Sequence, residues 1–460
     1  MTTKRVTIFL IALLAALVAA AALTGPESPT SAPRQSGPRV GRPSEASASW
    51  YCAEGTASPG GRADEEIVLG NVGTRASHAR ITVFAGSDVT PVHRESSVAP
   101  GAVVHLHVAD FAAVAEPGVL VEVSGGATAV EHQIRRGTDV ALGPCAREPA
   151  PQARFAAGTT AKGAELWLAL FNPFPDDAIV DVRAITSDGV RAPGGMQGVV
   201  VPRFSRVSVA LHDLVPRVDQ VATEVTVRRG RAIAEEALTL DGTDGRRGLA
   251  LSLGADAARR WWFPMGVIGS GRQEQLVLAN DSDREVMATV RFSLDATAIE
   301  PETVLVPGAS TVTVGFTRVP PNIGFSVSVR APEPIVAEML DATTAPLPDG
   351  VRGIASDLGI TVGASRWVVV PARLEAGSSD AVAVVSTDGK SHRIRLVQRR
   401  KGQDRVVARA TVPATGRTVW DLAALVTDPN VALEVRADGP VAVERESSRP
   451  GLTRSHAVPR

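Results

Sequence analysis

Cysteine, tyrosine and lysine are all but missing from this chain of 460 residues. Only Cys52 and Cys145 occur, and they lie too far apart in sequence for a zinc or redox pair without further ligands. One tyrosine and 4% aromatics leave little with which to build an aromatic-rich sugar-binding surface. Lysine stands at Lys4, Lys162, Lys390 and Lys401 alone, the remaining positive charge being arginine. The 48 basic and 49 acidic residues nearly cancel, so the electrostatic footprint of a nucleic-acid binder is absent. Helical periodicity is scarce too.

What is present is repetition. A strand ending in a single Glu occurs four times at intervals of roughly a hundred residues. The phrases are Ala129-Val130-Glu131, Ile233-Ala234-Glu235, Val336-Ala337-Glu338 and Ala442-Val443-Glu444. Before each lies a proline at a strand end: Pro100, Pro202, Pro307 and Pro413. Earlier still, an apolar run closes on Asn71, Asn172, Asn280 or Ser386. Three landmarks in one order, four times over, imply four copies of one supersecondary unit.

Each copy reads as all-β. In the third, Gln275–Asn280 forms a strand, and Val286–Leu294 alternates Val286, Ala288, Val290 and Phe292 against Met287, Thr289 and Arg291. Pro307-Gly308 and Ala331-Pro332-Glu333-Pro334 mark turns. Seven or eight short strands in about 100 residues predict an Ig-like β-sandwich. The fold class is therefore all-β, with four tandem Ig-like β-sandwich repeats over residues 49–148, 153–256, 259–360 and 364–460. Entry is aromatic each time: Trp50-Tyr51, Phe155, Trp261-Trp262-Phe263 and Trp367. Short linkers predict a semi-rigid rod or arc. Asp110, Asp213 and Asp421 are placed to cap one-turn helical connectors.

Ahead of the repeats, Lys4-Arg5 precede an uncharged run from Val6 to Leu23. Residues 1–23 read as a signal peptide cleaved near Ala20-Ala21-Ala22, or as an uncleaved membrane anchor. Residues 24–48, rich in Pro and Ser, read as a mobile tether. Both readings export the repeats. Cys52 opens and Cys145 closes the first repeat, which in an oxidising compartment predicts one disulfide.

The candidate chemistry is weighed residue by residue. Glu131, Glu235, Glu338 and Glu444 could each ligate a cation, but a group repeated in every copy usually serves the fold. No second acidic residue is read as recurring with them, as paired-carboxylate chemistry would need. Asn71, Asn172 and Asn280 suit turns, bonding their own backbone. Five of the eight histidines fall in the first repeat: His78, His93, His105, His107 and His132. His105 and His107 share a strand face, and His132 follows Glu131, which makes this the place to look for a metal. Scattered surface histidines are the plainer account, and no metal or other cofactor is assigned. Gly269-Ser270-Gly271 lacks the context of a nucleophile elbow, and Gly194-Gly195 that of a phosphate loop. Trp261 and Trp262 could stack on a sugar or plug a seam between domains.

At Trp261-Trp262-Phe263-Pro264, Leu278-Ala279-Asn280 and Val336-Ala337-Glu338 the chain resembles a family of exported actinobacterial proteins known only as a domain of unknown function. The resemblance implies a cell-envelope protein, loosely tied to envelope glycosyltransfer, and carries no catalytic residues. The expected function is a non-catalytic, membrane-tethered extracytoplasmic scaffold or binding protein. Its partner would be an envelope protein or glycan, and no nucleic acid. Two alternatives stand: a glycan binder using Trp261/Trp262, and a metal-dependent envelope hydrolase using Glu131, His132, His105 and His107.

Overall fold

The computed structural model describes residues 47–460, apart from 270, 295–298, 346–349, 372–378, 401, 427, 429, 449 and 450. The expected signal or anchor, most of the tether, and Ser270 lie outside the described residues. Among the described residues no helix is long and apolar enough to cross a membrane.

The first repeat shows the plan. Its strands are β1 (Ser47–Cys52), β2 (Asp64–Asn71), β3 (Ser77–Phe84), β4 (Val92–Val98), β5 (Val103–His107), β6 (Gly118–Ser124), β7 (Thr128–Arg136) and β8 (Asp139–Pro144). They form two antiparallel sheets, β1-β6-β3-β4 and β5-β2-β7-β8, stacked as a sandwich. The other three repeats keep this order of pairing. In repeats 3 and 4 the equivalents of β6 and β7 run on as single long strands, Phe325–Thr343 and Leu433–Ser448. The chain is thus all-β, four Ig-like sandwiches in tandem. Alternation does what it predicts: along Val286–Leu294, Val286, Ala288, Val290 and Phe292 are buried while Met287, Thr289 and Arg291 are exposed.

The boundaries are stiffer than loops. After β8 the chain pairs back onto its own first strand, through Tyr51–Ala146, Arg154–Ala255 and Trp262–Ile360 bridges. In repeat 4 Val458 and Pro459 do the same with Val368 and Trp367. Cys52 and Cys145, with Cα atoms 4.7 Å apart, form the disulfide across this closure in repeat 1. Spanning about 90 residues, such a link is worth roughly 4–5 kcal/mol in the chain-entropy model.

The expected rod or arc is corrected. Within the unit that contains the repeats, the strands equivalent to β8 (Asp139–Pro144, Arg247–Leu253, Ile354–Leu358 and Thr453–His456) each pack against the two neighbouring ones, and the last packs against the first. The four sandwiches close into a ring around these strands. Glycine permits the approach. A Cβ on Gly248 would lie 2.5 Å from the Ile354 nitrogen, one on Gly353 2.6 Å from that of Leu452, and one on Gly451 3.1 Å from that of Val140. At the seam between repeats 4 and 1, the Val103 N–H donates to the Asn430 carbonyl (2.8 Å) and the Ala432 N–H to that of Gly101 (3.0 Å). Apolar interiors also run across boundaries. Those of repeats 2 and 3 form one cluster, and Val368, Val370 and Ala432 of repeat 4 join the interior of repeat 1. Short linkers were compatible with an arc; what bends it shut is the self-complementary β8 surface.

Gly353→Val should therefore force strand against strand and lower the unfolding midpoint. Gly194→Ala, with nothing within 4 Å, should stay within about 0.5 kcal/mol of the parent. Equal midpoints for the two variants in a denaturant titration would contradict the ring contact.

Candidate functional site

At two boundaries the chain leaves the end of a first strand with two buried amides facing the next repeat, and at a third with one. Buried amides need acceptors. The recurring Glu supplies one, and it comes from the next repeat. Glu235 Oε2 accepts from the Ala53 (2.9 Å) and Glu54 (2.7 Å) N–H groups. Glu338 Oε2 accepts from Ala156 (2.6 Å) and Ala157 (2.8 Å). Glu444 Oε2 accepts from Met265 (2.8 Å) alone, because Pro264 before it has no N–H. Glu338 Oε1 also takes the hydroxyls of Ser252 and Ser356, both at 2.7 Å. Glu131 faces Arg445 of repeat 4 at 3.5 Å. All four carboxylates are buried, at 0–2% exposure.

A second acidic position does recur, contrary to the sequence reading. Glu65, Glu274 and Asp380 each stand six residues before Asn71, Asn280 and Ser386, and all three are buried. Repeat 2 has Leu166 there. The carboxylates gather basic groups from adjoining repeats. His132 lies 3.3 Å from Glu65 and 3.4 Å from Glu235. Between repeats 3 and 4, Arg454 reaches Glu274 (2.8 Å), Glu446 (2.8 Å), Asp341 (3.2 Å) and Glu444 (3.4 Å). Arg272 pairs with Asp341 and Glu446 beside it. Arg206 and Arg417 occupy equivalent places and donate to carbonyls of the preceding repeat, Gly55 in one case and Phe325 in the other. Sequence reading missed these arginines. Of these, Arg454 alone lies on a β8-equivalent strand, a position that Arg247-Gly248-Leu249-Ala250 and Arg352-Gly353-Ile354-Ala355 mark in the two repeats before it.

The asparagines share one geometry. Asn71, Asn172 and Asn280 donate to the carbonyls of Arg75 and Val98, Asp176 and Val201, and Arg284 and Val306 respectively. Each Oδ1 accepts from an N–H two residues on, tying the turn to the facing sheet. The Ser386 hydroxyl, on a shorter side chain, donates to Asp388. Of the proposed caps, Asp421 accepts from the Ala423 N–H, whereas Asp110 and Asp213 fall inside their turns, with His107 and Ala210 at the cap position.

The tryptophans part company. Trp261 is fully buried, its indole N–H shared between the Ala258 and Ile335 carbonyls, so it offers no ring to a sugar. Trp262 is half-buried, packs on the interior of repeat 4, and lines a groove of about 420 Å³ with Arg260, Arg291 and Arg330. In repeat 1, His105 pairs with Glu66 and His107 with Asp110, while His132 turns to Glu65 and Glu235. Among the described residues the side chains with metal-ligand proximity are Cys52, Cys145 and His132, and those sulfurs are bonded to each other. His105, His107, His132 and Glu131 are not brought together as a ligand set.

Burial sets the titration of these groups. It acts to lower His132, but the Glu235 and Glu65 carboxylates prevail and hold it at about 10. Burial pushes Glu236 up to about 8, with Glu338 adding to it. Glu274 rises to about 7 through burial, with Asp341 beside it, against the pull of Arg454. Glu446 is held at about 2: Arg272 and Arg454 outweigh its burial. Raised values mean the folded state binds protons more tightly, so this stability is complete below the unfolded values (about 4.3 for Glu and 6.5 for His). It drains as pH climbs through 7, 8 and 10. The unfolding midpoint should therefore fall between pH 6 and 9, by a shallower slope in Glu236→Gln; a midpoint that rises over this range would contradict the assignment. Glu338→Ala strands two amides and two hydroxyls. At roughly 1–3 kcal/mol for each stranded group, a loss of about 3 kcal/mol or more is expected in denaturant titration.

Residues 136–245 match the model of a family of unknown function, DUF5719. No curated protein matches the chain. Among solved structures, Thermotoga maritima 1070 is similar at 18% identity, covering 22% of this chain and 93% of that one, with a TM-score of 0.21. The Anabaena sensory rhodopsin transducer is 20% identical over 18% of this chain and 79% of its own, with a TM-score of 0.17. A GH2 beta-galacturonidase from Eisenbergiella tayi bound to galacturonate shares 8% identity over 65% and 44%, with a TM-score of 0.14. No activity passes from them at these scores. The matched family segment spans about one repeat length, and its family has no assigned function.

Proposed function

We propose that this chain is a non-catalytic, extracytoplasmic scaffold or binding protein of the bacterial cell envelope, tethered through its N-terminal segment. One observation carries the reading: the recurring carboxylates are turned inward and used to join one sandwich to the next. Such a site stiffens an assembly, and what the ring presents outward is the faces of its sheets. The disulfide supports an oxidising compartment. The uncharged run Val6–Leu23 behind Lys4-Arg5 supports export with a positive end retained inside. A second reading, glycan binding, draws support from Trp262 in its arginine-flanked groove, with Trp261 removed from it.

Fractionation of the native cell tests the main reading. The chain should be recovered with membrane or wall, open to external protease, its two cysteines blocked to maleimide until reduced. Recovery in the cytosol with free thiols would overturn it.

A further inference from the structure

The outer sheets of the four repeats carry one equivalent row of residues across neighbouring strands, and its charge changes from copy to copy. In repeat 1 the row reads Ser49, Glu122, Arg80, Glu95. In repeat 2 it reads Gln152, Thr226, Asp181. The repeat 1 row alternates in sign, as cross-strand neighbours prefer, and that of repeat 2 carries a single charge. In repeat 3 it becomes Arg260, Arg330, Thr289, Thr303. In repeat 4 it is Arg366, Arg436, Arg395, Arg409: four arginines directly opposite one another on four adjacent strands.

Like charges in direct opposition cost stability, so this row is an expense the fold does not need. Arg436 is held by Glu434 (2.5 Å) and Asp404 (2.6 Å), and Arg366 lies 3.9 Å from Glu434. Arg395 and Arg409 are exposed, and no ion pair is recorded for either among the described residues. The hairpin that bears them, His392–Val412, has seven basic residues and one acidic, in a chain of net charge −1. The row opens into a groove of about 680 Å³, where Arg393, Arg395, Arg409 and Arg436 meet Thr411 and Asp438, and no aromatic ring lines it.

We propose that this face of repeat 4 binds a linear acidic polysaccharide through its oxyanions. Strands about 4.8 Å apart space the guanidiniums at close to the length of one sugar residue, so an extended chain with one charge per unit can meet successive arginines. Guanidinium forks suit carboxylate and phosphate alike. Without a stacking ring the groove does not grip bases or neutral sugars. The inference rests on the binding-scaffold reading and names its ligand class.

The test uses the full chain with polygalacturonate, inorganic polyphosphate, neutral dextran and a single-stranded oligonucleotide as probes, across a salt series. Polygalacturonate or polyphosphate should bind and dextran should not; which of the two binds tighter tells whether the oxyanion is carboxylate or phosphate. Arg395→Ser with Arg409→Ser should weaken binding tenfold or more and flatten the salt dependence. Arg395→Glu should abolish binding yet raise the unfolding midpoint, because it restores alternation. Unchanged binding in these variants, a lowered midpoint in Arg395→Glu, or tighter binding of the oligonucleotide would overturn the proposal. Envelope recovery of a chain that binds neither acidic probe would sink the ligand class alone and leave the scaffold reading standing.

Discussion

A carboxylate that crosses from one sandwich to the buried amides of its neighbour is the contact on which this architecture turns. Hydrophobic burial would hold four β-sandwiches together in many relative positions, since it has no direction. A buried Glu with two N–H donors has one productive placement, and misplacing it strands groups at a cost of roughly 1–3 kcal/mol each. Glu235 and Glu338 show the full form, with two amides each, and Glu444 the reduced form that Pro264 imposes. The glycines of the β8-equivalent strands then let backbones meet closely enough for the ring to close.

The same boundaries hold more acid than base. Around Arg272 and Arg454 stand Glu274, Asp341, Glu444 and Glu446, and burial raises the first three of these carboxyls. Protonation of part of the cluster removes the surplus negative charge, which makes neutral-to-alkaline pH the direction of weakness. Such clusters commit the inner sheets to assembly. The outer sheets diverge, and the row that alternates as Glu122, Arg80, Glu95 in repeat 1 turns uniformly basic in repeat 4.

Much of the fold was legible because strand alternation and turn residues are local. The Glu phrases, the asparagines and the Cys52–Cys145 closure all announce one unit repeated. Ring closure was not legible, because it depends on which β8-like strands face each other, and no spacing along the chain encodes that. The second acidic position escaped because Leu166 breaks it in repeat 2 and Asp380 replaces Glu in repeat 4. Asp110 and Asp213 misled for a different reason: in a single turn, a shift of a few positions moves a residue from cap to interior. Trp261 and Trp262 are adjacent, yet alternation sends one into the core and the other to the seam.

The central claim is that repeat 4 returns to repeat 1. Spin labels at Ala99→Cys and Gln403→Cys, exposed positions flanking that seam, measure it directly by dipolar spectroscopy with the native disulfide intact. The ring predicts one short, narrow distance distribution that broadens when Gly101→Val drives a side chain into the Arg399 carbonyl. A long or broad distribution in the parent chain would contradict it and restore the rod.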